Sequence, residues 1–585
     1  MLKKLIRQLL FIQIISAVAV NLGSLINSYM IVHFLGIDSM SAYGYGAPVL
    51  MIFLAISQML TAGAQILSGR TLGMGDKEGT NAYFSSSIGA SIIFSLIGTT
   101  IIFLFTDQIC SVIGAGAPTP DNTVFYLTKD YLRGFAIGAS AFMVQQTMFP
   151  FLQMSGGRKQ ILVSNATTII SNIILCLLNV YIFKMGIFGM GLSYALSYLI
   201  GFIPQLIYMI RKQSIFRFKI SLVRVMNCLQ LIKQGSPLLV NRVCISLLPI
   251  IINILLTSYG GSFSVAAYSV INTIIHMLTS IAVGVNAVTL ALSSMFYGDK
   301  DKKSLTESMR IILTYTMIIL TVVSIVMFIL ARPIVSIFID DVSAMEITVM
   351  GLMIHLPSLI PDALVSATKN FYQGINHGKL TSLICFLQNL MLKAVVAYAA
   401  GMIWGLNGIW ACFLCGETLT LIFVIIYAAV YNHKFSLRLD DILLISEEFA
   451  DADYKCYDSI ITSSEEVLAA SEQALSFCKE NGLSNSSGLA ISLAIEELGN
   501  NIITYGFKDI KNNKDTNIAV RILISKDETL LRIRDNCDSF DPIKYIELHQ
   551  TDDPSSHIGI RLVKNLVKEI TYENSFGLNN LLIKM

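Results

Sequence analysis

Glu497 and Asn501 stand four residues apart in the run Glu496-Glu497-Leu498-Gly499-Asn500-Asn501-Ile502-Ile503-Thr504-Tyr505-Gly506. That spacing puts a carboxylate and an amide on one face of a helix. Hard oxygen donors, with Mg²⁺ supplying charge, are what phosphoryl transfer needs. Two later patches extend the set. Asp535-Asn536-Cys537-Asp538-Ser539-Phe540-Asp541-Pro542 follows an alternating apolar segment. His557-Ile558-Gly559-Ile560-Arg561-Leu562-Val563-Lys564 sets a glycine at the start of a helix, where free N–H groups favour phosphate. Gly577-Leu578-Asn579, opening a terminal strand, is a weaker supporting feature.

A second group of chemically able residues lies in apolar surroundings: Arg242, Asp362, Lys393 and Glu417. An ionisable group at bilayer depth is costly, so each calls for a partner or a function. Asp362 is expected to couple transport to H⁺ or Na⁺, with Pro361 breaking its helix locally. Lys393 and Glu417, on consecutive antiparallel segments, are expected to form a neutralising buried pair. Arg242 sits near a segment end, where its head snorkels toward water, and His276 is expected to be a packed polar residue. The first half carries amides instead: Asn27, Gln65, Gln146, Asn165, Asn172 and Asn179.

Two different bodies must position these residues. The chain has 585 residues, 54% hydrophobic and 14% charged, whereas soluble chains carry roughly 25% charged residues. Residues 1–432 hold 25 Lys and Arg against 14 Asp and Glu; residues 433–585 hold 16 against 25. A basic membrane part therefore precedes an acidic soluble part. Twelve mostly apolar segments of spanning length run from about 8–33 to about 406–431. The first is read as an uncleaved helix rather than a signal peptide, because its apolar character continues past Ala17-Val18-Ala19. Cys412 and Cys415, a CxxC inside a hydrophobic run, are expected to pack rather than to bind metal or do redox chemistry.

Alternate loops are rich in Lys and Arg, notably 211–234, which places the N-terminus, that loop and the C-terminal body in the cytoplasm. The halves repeat: Gly36 with Ala42-Tyr43 reappears as Gly261 with Ala267-Tyr268, and Gly75-Asp76-Lys77 as Gly298-Asp299-Lys300. Two six-helix lobes around a central cavity suit alternating access. The expected division is a first lobe at 1–228, a second at 229–431, a linker at 432–454 and a soluble domain at 455–585. In the last, 455–462, 516–525 and 528–535 read as strands, 464–481, 485–505 and 558–568 as helices, and 569–575 with 578–584 as a final hairpin. Helices followed by antiparallel strands make an α+β sandwich.

The run Gly69-Arg70-Thr71-Leu72-Gly73-Met74-Gly75-Asp76, its second-half echo Gly298-Asp299-Lys300 and the six-plus-six layout resemble the multidrug and toxic compound extrusion (MATE) transporters over about residues 8–431. The resemblance implies a cation-driven antiporter, Na⁺ or H⁺, exporting small amphipathic, often cationic compounds. In one branch of that family an Asp stands twelve residues before a Gly on the tenth helix, as Asp362 precedes Gly374 here. Another branch uses an Asp on the first helix, where this chain has Asn27; an amide takes up no proton, though its oxygen suits Na⁺.

The three C-terminal patches resemble the GHKL ATPases, in particular the anti-sigma-factor serine/threonine kinases, over about residues 455–585. In that family the residue matching Asn501 binds the Mg²⁺ that bridges the ATP phosphates. The one matching Glu497 is the general base, the one matching Asp535 accepts a hydrogen bond from adenine, and Gly559 lies in the phosphate-facing patch. The family usually has glycine where Cys537 and His557 stand, and a side chain there narrows the pocket or loosens its lid. No GxxxxGK[ST] run is present.

The expected protein is thus a plasma-membrane antiporter with a cytoplasmic ATP-binding domain in a regulatory role. The alternative is a membrane-anchored serine/threonine kinase-like signalling protein that uses the membrane part as sensor. The expected partners are an export substrate, the bilayer and a cytoplasmic protein; an acidic tail disfavours nucleic acid.

Overall fold

The structure, a computed structural model, describes all residues except 117–118, 211–214, 340–341, 437, 446–448, 450–453, 508–516, 527, 539 and 549–557. Twelve long helices come first. The first half holds α1 (Leu2–Leu35), α2 (Ile37–Gly73), α3 (Lys77–Val112), α4 (Thr123–Met154), α5 (Arg158–Leu178, then a π turn) and α6 (Gly186–Ile210). The second holds α7 (Val225–Gly261), α8 (Phe263–Gly298), α9 (Lys302–Ile329), α10 (Ala344–Gly374), α11 (Gly378–Trp404) and α12 (Leu406–Tyr431). Among the described residues, 11 of these are long and apolar enough to cross a membrane; α1, with 34 residues, completes the two sets of six.

The halves repeat in backbone detail. Gly36 (φ 84) separates α1 from α2, and Gly261 (φ 63) separates α7 from α8, a left-handed conformation that favours glycine. Asp76 caps α3 by accepting the Gly79 N–H at 2.8 Å, and Asp301 caps α9 by accepting the Ser304 N–H at 2.9 Å. The second-half counterpart of Asp76 is therefore Asp301, not Asp299 as the short motif suggests. The cap belongs to the residue whose carboxylate reaches the third helical N–H, and Asp299 is committed elsewhere.

The break in α10 also differs from expectation. It falls at Leu356–Ser358, around Pro357, and the helix resumes at Leu359. Pro361 sits in the resumed first turn, where a missing N–H costs little.

The lobes meet at one end of the bundle. A Cβ on Gly73 would lie 2.3 Å from the Met295 carbonyl oxygen, and one on Gly298 would lie 2.3 Å from that of Arg70. Here α2 and α8 touch backbone to backbone, and Arg70 donates to the Gly374 carbonyl at 2.9 Å, adding α10 to the seam.

The C-terminal domain begins with β1 (Lys455–Ile461), followed by α13 (Ser464–Glu480), α14 (Asn485–Asn501), β2 (Ile518–Ile524), β3 (Thr529–Asp535), α15 (Pro542–Leu548), α16 (Ile558–Leu566), β4 (Glu569–Ser575) and β5 (Leu578–Lys584). The strands form one antiparallel sheet in the order β1-β2-β3-β5-β4. Val520, Ile522, Leu531, Ile533 and Ile583 pack with Val467, Ile491 and Ile495 of α13 and α14. Strand period puts Arg521, Arg532, Arg534 and Leu582 on the other face, yet these too are buried. What covers them is the closed end of the helical bundle.

Between the two parts, Leu439–Ile442 forms a short helix, and Leu443, Leu444 and Ile445 are buried in the same cluster as residues of α8, α9 and α12. The Tyr372 hydroxyl donates to the Ile442 carbonyl at 2.5 Å. Within the expected linker, residues 439–445 are thus anchored on the second lobe.

Candidate functional site

On the helix face of the sheet, α14 brings Glu497 and Asn501 to one side, and a π turn at Ile502–Gly506 ends the helix beside β3. A Cβ on Gly559 would sit 1.8 Å from the Glu497 carboxylate. The sequence-predicted base therefore lies against the first turn of α16, where the helix dipole favours negative charge, and glycine alone fits at 559. Asp535, at the end of β3, is 5% exposed. It accepts the Cys537 N–H at 2.9 Å and the Asn579 side-chain amide at 2.8 Å through the same oxygen. Burial pushes its carboxyl above the ordinary value, opposed by those hydrogen bonds. Asn579 also donates to the Asp538 carbonyl at 3.1 Å and accepts the Tyr572 hydroxyl at 2.7 Å, so this residue holds the whole Asp535–Asp538 turn.

Cys537 is accommodated by a glycine opposite: a Cβ on Gly506 would stand 2.8 Å from its sulfur. His557 and Ser539 lie outside the described residues. Glu497, Asn501, Asp535 and Gly559 thus come from α14, the end of β3 and α16, on the helix-covered face of the sheet. Their donor set fits Mg-ATP: Asn501 would hold the metal, Asp535 the adenine and the first turn of α16 the phosphates.

On the opposite face, Glu573 of β4 is 8% exposed and lies near Lys77, Arg532, Asp299 and Asp76. Burial pushes its carboxyl up to about 7, with Lys77 and Arg532 opposing the shift. The folded chain then binds a proton that the unfolded chain releases. Stability from this group is present below the ordinary Glu range and is lost as pH rises from there to about 7. The melting temperature of the full chain is therefore expected to fall over that window, and Glu573→Gln to remove this component; an unchanged pH profile in the variant excludes the assignment.

Within the membrane part, Lys393 and Glu417 are 2.6 Å apart and buried. Asp362 makes no ion pair among the described residues. It accepts the Gln388 side-chain amide at 3.0 Å, and the same nitrogen donates to Glu417 at 2.9 Å. The oxygen of Gln388 accepts from Lys369 at 2.6 Å, and Lys369 also donates to Asn241 at 3.1 Å. One amide therefore joins both carboxylates to a second buried lysine. Lys369 is not among the expected residues because it stands where the apolar run gives way to the polar Lys369-Asn370. The available signal was its spacing of seven from Asp362, two turns along one face. A π turn at Leu387–Met391 carries Gln388 and Asn389, a distortion frequent at functional sites.

Other placements differ from expectation. Arg242 does not merely snorkel: its guanidinium donates to Gln58 of α2 at 2.6 Å, across the lobes. His276 is exposed rather than packed. Gln146, Asn165 and Asn172 line a cavity in the first lobe with Gln145, Tyr194 and Tyr198. Asn27 is fully buried, and neither amide atom has a hydrogen-bond partner among the described residues. Asn179 is structural, donating to the Gly186 carbonyl at 2.8 Å.

Comparison with known proteins identifies the families of the two parts of the chain. The family model described as MatE matches residues 13–178 and 237–399, and that described as histidine kinase-like ATPase domain matches residues 462–585. The multidrug export protein MepA of Staphylococcus saprophyticus is 22% identical over 424 residues, covering 72% of this chain and 92% of the relative. MepA of Staphylococcus aureus is 20% identical over 427 residues, covering 72% and 93%. Two solved structures share the fold at 20% identity, each covering 72% of this chain and 94% of its own. They are a crystal structure of MATE in complex with MaL6 (TM-score 0.67) and an outward-facing conformation of a multidrug resistance MATE family transporter (TM-score 0.64).

Proposed function

Because this multipass membrane chain belongs to the MATE family and ends in a histidine kinase-like ATPase domain, we propose that it is a Na⁺- or H⁺-coupled antiporter whose export of small amphipathic or cationic compounds is regulated by ATP binding. The relatives named as multidrug export proteins support the substrate class. The Lys and Arg content of alternate loops supports a cytoplasmic position for both termini.

The observation that carries the coupling role is the Asp362–Gln388–Glu417 network, with Lys369 on the same amide. Lys393 neutralises Glu417 directly, which leaves Asp362 as the carboxylate that is hydrogen-bonded to Gln388 without an ion pair of its own among the described residues. Uptake of a cation at Asp362 frees that amide to reorient, so occupancy of one carboxylate repacks four residues on α10, α11 and α12. A bistable packed network of this kind is what lets ion binding bias the two lobe arrangements.

In the C-terminal domain, bound Mg-ATP supplies the group for phosphoryl transfer. Asn501 would hold the metal, Glu497 would take the proton of an attacking hydroxyl or water, and Asp535 would hold the adenine. Kinase activity toward a cytoplasmic protein, as in the anti-sigma-factor kinases, is the further activity these residues allow.

The test is ethidium transport by proteoliposomes of the full chain under an imposed Na⁺ or H⁺ gradient, with and without Mg-ATP on the domain side. Transport is expected under one of the two gradients, at a rate that Mg-ATP changes. Absence of gradient-driven movement across a panel of cationic dyes refutes the antiporter reading, and indifference to Mg-ATP refutes the regulatory one.

A further inference from the structure

The face of the C-terminal sheet turned away from the nucleotide residues is charged and buried, an unusual combination. Arg532 pairs with one oxygen of Asp299 at 2.9 Å and donates to the Gly73 carbonyl at 2.7 Å; Arg534 pairs with the other oxygen of Asp299 at 2.6 Å. Arg521 pairs with Asp301 at 2.8 Å and donates to the Lys300 carbonyl at 2.8 Å. Gly73 ends α2 in the first lobe, whereas Asp299, Lys300 and Asp301 form the turn after α8 in the second. A single guanidinium, that of Arg532, therefore spans the seam between the lobes.

The first lobe is held elsewhere too. Phe576 is fully buried in the cluster that includes Met154 of α4, and its N–H donates to the Met154 carbonyl at 2.6 Å. Lys77 donates to the Tyr572 carbonyl at 3.3 Å.

We propose that this sheet face is a lock on the closed seam: it binds α2 and α8 together, and the domain must release one lobe before the transporter opens toward it. Three arginines desolvated against two aspartates are a weak source of net stability; what their forked geometry supplies is selectivity for one arrangement of the turns. Arg521 ties the domain to the turn after α8 in the second lobe, so parting of α2 from α8 breaks the Gly73, Met154 and Lys77 contacts and leaves those to Asp299 and Asp301.

The proposal deepens the regulatory reading above, on which its nucleotide arm rests. Strand β3 carries Arg532 and Arg534 on the lock face, with Asp535 next in line on the nucleotide face. On β5, Asn580 accepts from Arg534 while its neighbour Asn579 holds Asp535. Nucleotide and lock thus grip adjacent residues of the same two strands, and any effect of one on the other is reciprocal.

Ser294 of α8 is fully buried in the seam, donating to the Gln65 carbonyl of α2 at 3.3 Å. In the full chain carrying Ser294→Cys, labelling at that position by a membrane-impermeant maleimide, read by mass spectrometry, reports seam opening. Arg532→Gln with Arg534→Gln is expected to raise the labelling rate about fivefold or more. Asp299→Asn, made on the transporter side of the contact, is expected to do the same without touching the ATPase domain. Unchanged labelling in both variants overturns the lock.

Saturating Mg-ATP is expected to change the rate in the parent and not in the arginine variant. If Mg-ATP binds the parent by calorimetry but leaves its labelling unchanged, the nucleotide link is overturned. If Mg-ATP does not bind the parent, the ATP-binding reading falls, while the labelling of the arginine and aspartate variants still decides the lock.

Discussion

Asp362→Asn is expected to lower gradient-driven dye exchange by at least about tenfold, while dye binding to the purified protein stays at the parent level. The asparagine is isosteric and still accepts the Gln388 amide that now lies 3.0 Å from the carboxylate, so the packing of α10 against α11 survives. What it loses is the capacity to change charge. An ion without differential affinity for the two lobe arrangements shifts nothing between them. Asp362 stands half-buried in the first turn after the α10 break, twelve residues and about 18 Å of helix from Gly374, far from that end of the bundle. Lys369→Met is a useful companion: it removes the donor on the far side of Gln388, and its effect on exchange reports whether the relay acts as a unit. Exchange by Asp362→Asn at the parent rate removes the residue from the coupling mechanism.

Asn501→Ala is expected to weaken Mg-ATP binding by about 100-fold or more, since loss of supporting groups around a metal already costs 10–100-fold. Adenosine, which carries no metal and is expected to be held at Asp535, is expected to bind the variant as it binds the parent. That split separates loss of the metal ligand from loss of the domain. The adenine end has its own signature. Burial raises the Asp535 carboxyl, and the charged form is the one that accepts a hydrogen bond from an amino group, so binding weakens as pH falls into that raised range. Equal affinity of Asn501→Ala and parent for Mg-ATP in calorimetry assigns the metal position elsewhere.

Much of the architecture was legible because its signals are local. Twelve apolar runs, a repeat of Gly36 at Gly261 and the appearance of period-two segments among helical ones beyond residue 455 each follow from a few neighbouring residues. The same holds for Glu497, Asn501, Asp535 and Gly559, whose spacing and order suffice to group them. Register was less secure. The Gly298-Asp299-Lys300 echo points two residues short of the true cap because a three-residue motif does not distinguish one aspartate of a turn from the next. The backbone does, through the N–H that Asp301 accepts.

The sequence by itself determined that an apolar, duplicated membrane body precedes an acidic α+β domain, since burial pattern and charge are properties of composition and period. Tertiary structure alone decided what Arg521, Arg532, Arg534 and Lys369 do. On a strand, arginines at alternate positions read as one solvated face, and nothing local distinguishes water from protein as the medium outside it. Here the medium is the end of a helical bundle more than 200 residues away in sequence, and a charge finds so distant a partner only when the fold removes both from water together.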